Sequence, residues 1–93
     1  MNFIERSKAI FAQEIRELEA VSANIGNEMN EAVDMIYHTT GKLVVMGVGK
    51  TGIIGHKISA SLASTGTPSI FVHASEAMHG DLGMISPNDI ALL

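Results

Sequence analysis

The feature that most constrains the fold is a short apolar run that leads directly into a glycine-rich turn. Residues 43–46 read Leu-Val-Val-Met, and Gly47-Val48-Gly49-Lys50-Thr51-Gly52 follows at once. A short apolar run is typical of a parallel strand that is covered on both faces. The segment after the turn predicts a helix over about 52–64 that ends at Gly66, so the chain contains a strand, a glycine turn and a helix in that order.

Two helices are predicted before this strand and two strands after the third helix. The first is an amphipathic helix that runs to about Asn24, because apolar residues recur at spacings of three, four or seven: Ile4, Phe11, Ile15, Leu18 and Ile25. Gly26 breaks it, and we expect Asn27 to be the N-cap of a second helix that stops before a C-cap at Gly41. The remaining predictions are strands at 69–72 and 89–93 and a polar turn at 73–84 with one helical turn. The fold class is therefore α/β, with an open parallel sheet flanked by helices.

Composition limits the class of protein further. The chain has 93 residues, 46% hydrophobic and 17% charged, which predicts one packed globular domain. It contains no cysteine, so it has no disulfide or thiolate metal site, and a cytoplasmic location is the default expectation. Neither a signal peptide nor a stretch of roughly 20 apolar residues is visible, so no membrane association is expected.

The charge pattern favours a small anionic ligand. A net charge of −4 argues against nucleic acid as a partner. Lys42, Lys50 and Lys57 lie close together along the chain, which predicts a positive field around the glycine turn. Such a field suits a phosphate group better than a polyanion.

The glycine turn has several possible interpretations. A P-loop needs a glycine where Val44 stands, so that interpretation fails. The spacing satisfies a dinucleotide fingerprint, but the second strand ends in His73, where an acid for the ribose hydroxyl is expected. A third interpretation is a turn and helix N-terminus that bind a phosphate or sugar oxygen, with Lys50 as a charged clamp. The plain alternative is a tight turn with a solvated Lys50.

A second polar motif runs from His73 to Gly83 and contains two histidines and two carboxylates. Because ligands of open α/β sheets lie outside the carboxyl ends of the strands, His73, Glu76 and Asp81 are expected to face the same crevice as Lys50. His79 is a candidate acid or base, oriented by Asp81. His73 is equally well explained as a hydrogen-bonded residue at the strand end, and Asp81 as a cap of its own turn. A zinc site formed by His73, Glu76 and His79 is a weak third hypothesis.

Together these motifs resemble the first half of a sugar isomerase (SIS) domain, and arabinose 5-phosphate isomerases in particular. The resemblance covers residues 42–93 closely, and residues 1–41 match only as the helical segment that precedes such a domain. It rests on four segments: Val45-Met46-Gly47-Val48-Gly49-Lys50-Thr51-Gly52, Leu62-Ala63-Ser64-Thr65-Gly66-Thr67-Pro68, Phe71-Val72-His73 and His79-Gly80-Asp81-Leu82-Gly83-Met84. The implied fold is a flavodoxin-like three-layer sandwich, here truncated after the third strand.

The resemblance also implies an activity. This is the interconversion of D-arabinose 5-phosphate and D-ribulose 5-phosphate through a cis-enediol, without a cofactor or metal, as a step toward Kdo in lipopolysaccharide or capsule. It implies that His79 and Lys50 are catalytic and that Gly47, Gly49 and Thr51 shape the sugar-phosphate turn. It further implies a homotetramer and a fragment that is inactive alone. The alternatives are a regulatory domain that binds a sugar phosphate and an isomerase of another sugar phosphate.

Overall fold

The chain divides into two units, Met1–Glu31 and Ala32–Leu93, and each is described here by itself. The computed structural model describes residues 2–77 and 81–93, with the backbone alone at residues 81 and 82. The predicted domain boundary between residues 41 and 42 stays a prediction. No helix within the described ranges is both long enough and apolar enough to span a membrane.

The first unit is dominated by helix α1 (Phe3–Ala23), which confirms the helix predicted to about Asn24. Asn2 is its N-cap, and its Oδ1 accepts the N–H groups of Ile4 and Glu5 at 3.0 and 3.1 Å. These bonds satisfy two of the amide groups that the first turn of a helix leaves without partners. None of the residues of α1 is buried, so its apolar stripe is exposed.

Helix α2 (Asn27–His38) begins after Gly26, as predicted, but Asn27 is not its N-cap. Asn27 is the first helical residue, and its Oδ1 accepts a hydrogen bond from the Asn30 side chain at 3.3 Å. The side chain that bonds to the backbone here belongs to Glu28, whose Oε1 accepts the Gly26 N–H at 3.2 Å. The N-cap prediction was wrong because the helix already includes Asn27, whose side-chain oxygen binds the Asn30 side chain and not a backbone N–H of the first turn.

Gly41 is likewise not a helix C-cap. Helix α2 ends at His38, and in the described residues only Gly49 and Gly66 have positive φ angles. A Cβ built on Gly41 would overlap the carbonyl oxygen of Asn88. Glycine is therefore needed at position 41 for a close approach between two backbone segments that are far apart in sequence.

The second unit contains a three-stranded parallel sheet in the order β2-β1-β3. Its strands are β1 (Leu43–Gly47), β2 (Ser69–His73) and β3 (Ile90–Leu92). The α/β class with a parallel sheet is confirmed. Where the end of a strand differs from the prediction, it differs by one residue. Leu43 pairs with Ser69 on one side and with Ile90 on the other, so β1 is the central strand. It is also the most buried strand, as its unbroken apolar run predicts.

Helices cover both faces of this sheet. Helix α3 (Gly49–Ser64) joins β1 to β2, while helix α4 (Ala74–Ala77) and a 3₁₀ turn (Asp81–Met84) lie between β2 and β3. The first crossover runs from the central strand β1 to the edge strand β2, and the second runs back from β2 past β1 to β3. Because the two cross the sheet in opposite directions, right-handed connections put them on opposite faces. Accordingly, Gly55 of α3 lies against Val45, whereas Ala77 of α4 packs in the core cluster with Val44 and Val72.

Helix α3 starts at Gly49, three residues earlier than predicted, and ends before Gly66 as predicted. Gly49 and Gly66 have φ angles of +58° and +103°, a region that side chains with a Cβ rarely adopt. The turn between β1 and α3 is therefore a single residue, Val48, and most of the glycine motif is the first turn of the helix.

A stripe of small residues seats α3 on the sheet: Gly52, Gly55 and Ser59, all buried. A Cβ on Gly55 would lie 3.1 Å from Cγ1 of Val45, so the helix lies as close to the strand as glycine permits. Further along, Oγ of Ser59 lies 2.8 Å from Oγ of Ser69 in β2. These residues recur at spacings of three and four, which puts them on one face of the helix. The stripe was not among the features predicted from the sequence.

Candidate functional site

The candidate site lies at the carboxyl edge of the sheet, where the ends of β1 and β2 meet. Gly47 and His73, the last residues of the two strands, are direct partners in the parallel register. The glycine turn starts at Gly47 and the histidine motif starts at His73. The end of the first motif and the start of the second are 21 positions apart along the chain. The strand register therefore brings together the two motifs that the sequence analysis singled out.

The first component of the site is the N-terminus of α3. Val48 is its N-cap residue and provides no side-chain hydrogen bond, and the first intrahelical bond is from Gly52 N–H to the Val48 carbonyl at 2.9 Å. The N–H groups of Gly49, Lys50 and Thr51 therefore have no acceptor within the helix. In the described part of the chain no other group accepts from them either. Free amides and the positive end of the helix dipole together suit an anion such as phosphate.

Lys50 and Thr51 are both exposed at this helix end. In the described part of the chain the Lys50 ammonium forms neither a hydrogen bond nor an ion pair with another side chain. Its charge is therefore available to a ligand, which agrees with a clamp and equally with the solvated lysine of the plain alternative. The positive φ of Gly49 is what turns the chain so that Lys50 follows the strand end immediately.

The second component is His73, whose ring is held by the residue two positions later. Its Nδ1 lies 2.7 Å from Oγ of Ser75 and 3.3 Å from the Ser75 backbone N, which donates to it. These bonds agree with the hydrogen-bonded strand-end interpretation of His73, and its predicted role in substrate binding stays a prediction. Glu76 lies in α4 and is exposed.

Two of the predicted site residues cannot be placed in full. His79 lies outside the described residues, and Asp81 begins the 3₁₀ turn with its side chain undescribed. The zinc hypothesis needs His79 as its third ligand. Among the residues described, no cluster of three possible metal ligands occurs. The catalytic and substrate-binding assignments therefore remain predictions.

Lys42 does not belong to the site, which corrects the predicted cluster of three cations. It precedes β1, whereas Lys50 follows it, and the five residues of the strand separate them by about 16 Å. Its Nζ forms an ion pair with Oδ2 of Asp89 at 2.7 Å, and its backbone N–H donates to Oδ1 of the same carboxylate at 2.9 Å. The Lys42 charge is therefore neutralised at the amino edge of the sheet.

The Asp89 carboxylate is the centre of this amino-edge network. Its side chain is only 3% exposed, and it also accepts the Ser86 N–H at 2.7 Å. The side-chain and backbone hydrogen bonds from Lys42, followed by the bond from Ser86, lower the pKa of Asp89 from 3.8 to about 2. From the sequence, Asp89 is predicted only as the start of a strand, because a partner 47 residues away leaves no local pattern.

Two cavities in the second unit differ in their surroundings. One of about 450 Å³ lies at the amino edge and is lined by threonines, apolar residues and Gly66, without a charged side chain. A smaller one, about 200 Å³, lies beside the candidate site and is lined almost entirely by apolar groups, with Thr51 at its border. The larger volume is thus at the edge opposite to the unpaired amides and Lys50, and the chemistry places the candidate site at the carboxyl edge.

Comparison with known families identifies the class of protein. The SIS domain family model matches residues 35–93, which span all three strands, and the chain belongs to the SIS domain family. A second model, of phosphoribosyl-ATP pyrophosphohydrolase, matches residues 3–56 and overlaps the first over β1 and the glycine turn. We assign that overlap to the SIS family. Two arabinose 5-phosphate isomerases and one solved structure each match most or all of this chain, including the overlap.

Individual relatives are arabinose 5-phosphate isomerases. A probable arabinose 5-phosphate isomerase of Haemophilus influenzae is 44% identical over all 93 residues, which span 28% of that protein. The arabinose 5-phosphate isomerase GutQ of Escherichia coli K12 is 51% identical over 79 residues, or 85% of this chain and 25% of that protein. The chain thus spans about a quarter of the length of these curated relatives.

A solved structure shares the fold over nearly the whole chain. An Escherichia coli CFT073 protein, solved in complex with arabinose 5-phosphate, superposes with a TM-score of 0.87 at 41% identity. The match covers 98% of this chain and 50% of that one. The predicted family and fold are therefore confirmed. The similarity includes both the two N-terminal helices and the sheet.

Proposed function

We propose that the protein to which this chain belongs is an aldose–ketose isomerase that interconverts D-arabinose 5-phosphate and D-ribulose 5-phosphate. The activities of the relatives and the arabinose 5-phosphate bound in the solved neighbour support this proposal. The single observation in this chain that carries it is the pairing of Gly47 with His73, since it puts an anion-binding helix end beside the histidine motif.

In this proposal the phosphate or the sugar oxygens bind at the glycine turn. The backbone N–H groups of residues 49–51 supply neutral donors, Thr51 also supplies a hydroxyl, and Lys50 supplies the positive charge. Glu76 and Asp81 contribute to binding from the neighbouring motif. Lys50 also acts in catalysis, because its ammonium stabilises the negative oxygens that develop during the reaction.

His79 is proposed to move the proton. It removes the proton from C2 of the aldose, and the electron pair forms a C1=C2 double bond while the C1 carbonyl oxygen gains a proton. Return of the proton to C1, with loss of the proton from the C2 hydroxyl, gives the ketose. C2 is oxidised and C1 reduced by the same two electrons, so the balance needs no external cofactor. A cis-enediol keeps both oxygens on one side, which lets one base serve both carbons.

The direct test is to measure ribulose 5-phosphate formation from arabinose 5-phosphate by the full-length protein and by its His79→Gln variant. We expect turnover to fall at least roughly 100-fold in the variant, because an amide cannot accept the proton. His38→Gln is the matched control, since His38 lies in α2 and bonds to the Asp34 carbonyl. Equal turnover in wild type and His79→Gln would contradict the assigned role. A folded protein that binds the sugar phosphate without turnover would favour a regulatory domain. Turnover of a hexose or heptose phosphate, but not of arabinose 5-phosphate, would show that the protein is an isomerase of another sugar phosphate.

We also propose that the protein is a cytoplasmic homotetramer that supplies Kdo synthesis for lipopolysaccharide or capsule. The exposed apolar stripe of α1, with Phe3, Phe11 and Leu18 each at least 67% exposed, supports association with other subunits. Light scattering of the full-length protein tests the tetramer, and loss of Kdo after gene deletion tests the pathway. A stable monomer would contradict the first of these, and unchanged Kdo the second.

A further inference from the structure

The geometry points to Ser75 as a positioning residue that fixes His73 in the tautomer with its proton on Nε2, so that His73 serves as a hydrogen-bond donor to the sugar phosphate and not as a base. This inference rests on the proposed function for the identity of the ligand. It assigns a role to a residue that no sequence motif singled out. It also separates the roles of the two histidines.

The tautomer follows from the contacts at Nδ1. The Ser75 backbone N–H, 3.3 Å away, can only donate, so Nδ1 must provide a lone pair. The Ser75 hydroxyl, whose oxygen lies 2.7 Å from the same nitrogen, can donate to it as well. A ring that accepts at Nδ1 carries its proton at Nε2 when neutral. A ring protonated at Nδ1 could still donate to the Ser75 hydroxyl oxygen, but it would lose the hydrogen bond from the Ser75 backbone N–H, since two donors would then face each other.

This tautomer determines what His73 can do. The ring's only basic lone pair is engaged by Ser75, and Nε2 can donate but not accept. His73 is therefore unsuited to remove a proton from carbon. Among the described groups, which exclude residues 78–80 and the side chains of residues 81 and 82, Ser75 is the only partner of the ring, and that contact is through Nδ1.

The position of His73 makes a sugar phosphate a suitable acceptor. His73 lies next to Gly47 in the sheet, and it shares the α3 face with Phe71, which packs against Gly55. The same edge has the unpaired amides and the Lys50 ammonium at the start of α3. A neutral N–H donor beside a cation and helix amides matches the oxygens of a phosphorylated sugar.

The test measures the tautomer and the kinetics of the full-length protein separately. Long-range ¹H–¹⁵N spectra of histidine-labelled protein report the protonated nitrogen of each ring, and His73→Gln identifies the His73 signals. We expect the Nε2–H form in the wild type. Ser75→Pro removes both donors in the first turn of α4, where proline is tolerated, and should produce a mixture of tautomers. Ser75→Thr keeps both donors and should restore the wild-type pattern.

In the kinetic arm, Ser75→Pro should raise KM for arabinose 5-phosphate roughly 2- to 12-fold, the effect of one misdirected hydrogen bond, and change kcat less. Ser64→Ala is the matched control, because the Ser64 hydroxyl bonds to its own helix at the far end of α3. An Nδ1–H form of His73 in the wild type would overturn the inference. So would an unchanged tautomer and KM in Ser75→Pro while His79→Gln is inactive, and that result would leave the isomerase intact. If the wild-type protein has no turnover but His73 is in the Nε2–H form, the proposed isomerase activity is overturned and the assigned tautomer of His73 is upheld.

Discussion

Gly47 and Gly52 lie so close together that neither has ordinary space for a Cβ, because the end of β1 approaches the first turn of α3. A Cβ built on Gly52 would lie 3.1 Å from both the carbonyl carbon and the oxygen of Gly47. Such a contact is tighter than ordinary packing and involves backbone atoms that cannot move aside independently. The contact fixes where the amides of the glycine turn stand relative to the strand end.

We therefore expect Gly52→Ala to lower the free energy of unfolding. The overlap costs about 1–3 kcal/mol, and the better helix propensity of alanine returns at most about 1 kcal/mol of it. Chemical denaturation of the full-length protein measures the difference. Gly83→Ala is the control, because a Cβ there meets no described atom within 4 Å, and its effect should stay within about 0.5 kcal/mol. Equal stability of the two variants would show that the approach at Gly47 is looser than described.

Gly49→Ala should affect both stability and ligand binding. The φ of +58° costs a residue with a Cβ about 1–2 kcal/mol, and relaxing it would redirect the amides that follow. Gly66→Ala separates the two effects, since Gly66 also has a positive φ in open space but lies beyond the other end of α3. We expect both variants to lose stability and only Gly49→Ala to lose affinity for arabinose 5-phosphate, as measured by calorimetry. A loss of affinity in both would mean that strain alone is responsible.

Lys50→Met should weaken sugar-phosphate binding. Removal of a hydrogen bond to a charged group corresponds to a roughly 10- to 100-fold rise in Kd. Binding of arabinitol 5-phosphate, which cannot be isomerised, isolates this effect from catalysis. Lys57→Met removes the same charge from an exposed position further along α3 and should leave Kd nearly unchanged. If the two variants bind equally well, Lys50 is a solvated lysine and the clamp is elsewhere.

Asp89→Asn should remove a pH-dependent contribution to stability. Because the pKa of Asp89 is about 2 in the folded protein and 3.8 is its ordinary value, the ionised carboxylate stabilises the fold above about pH 4. That contribution is lost as the pH falls from about 4 to about 2. Unfolding curves of wild type and variant should therefore differ at neutral pH and converge near pH 2. Parallel curves over the whole range would contradict the ion pair with Lys42.

The elements that could be predicted are those whose signals are local. The apolar run at β1, the glycine turn and the break at Gly66 each depend on neighbouring residues, and all three were predicted within a few positions. The errors at Asn27 and Gly41 arose because the pattern of neighbouring residues does not show which contacts a side chain or a glycine makes in the folded chain. Glu28 binds the Gly26 amide, and the Asn88 carbonyl is what demands a glycine at position 41.

By itself, the sequence determined the α/β class, the order of the elements and the family, because periodicity and motif spacing are written along the chain. Tertiary structure alone decided which distant groups meet. The parallel register joins Gly47 to His73, and the turn at the amino edge joins Lys42 to Asp89 across 47 residues. Lys50 and Lys42 look equivalent in sequence, yet one charge is neutralised by a carboxylate that is nearly inaccessible to solvent and the other is exposed at the candidate site. The difference depends on which end of β1 each lysine occupies, and strand pairing fixes what surrounds each end.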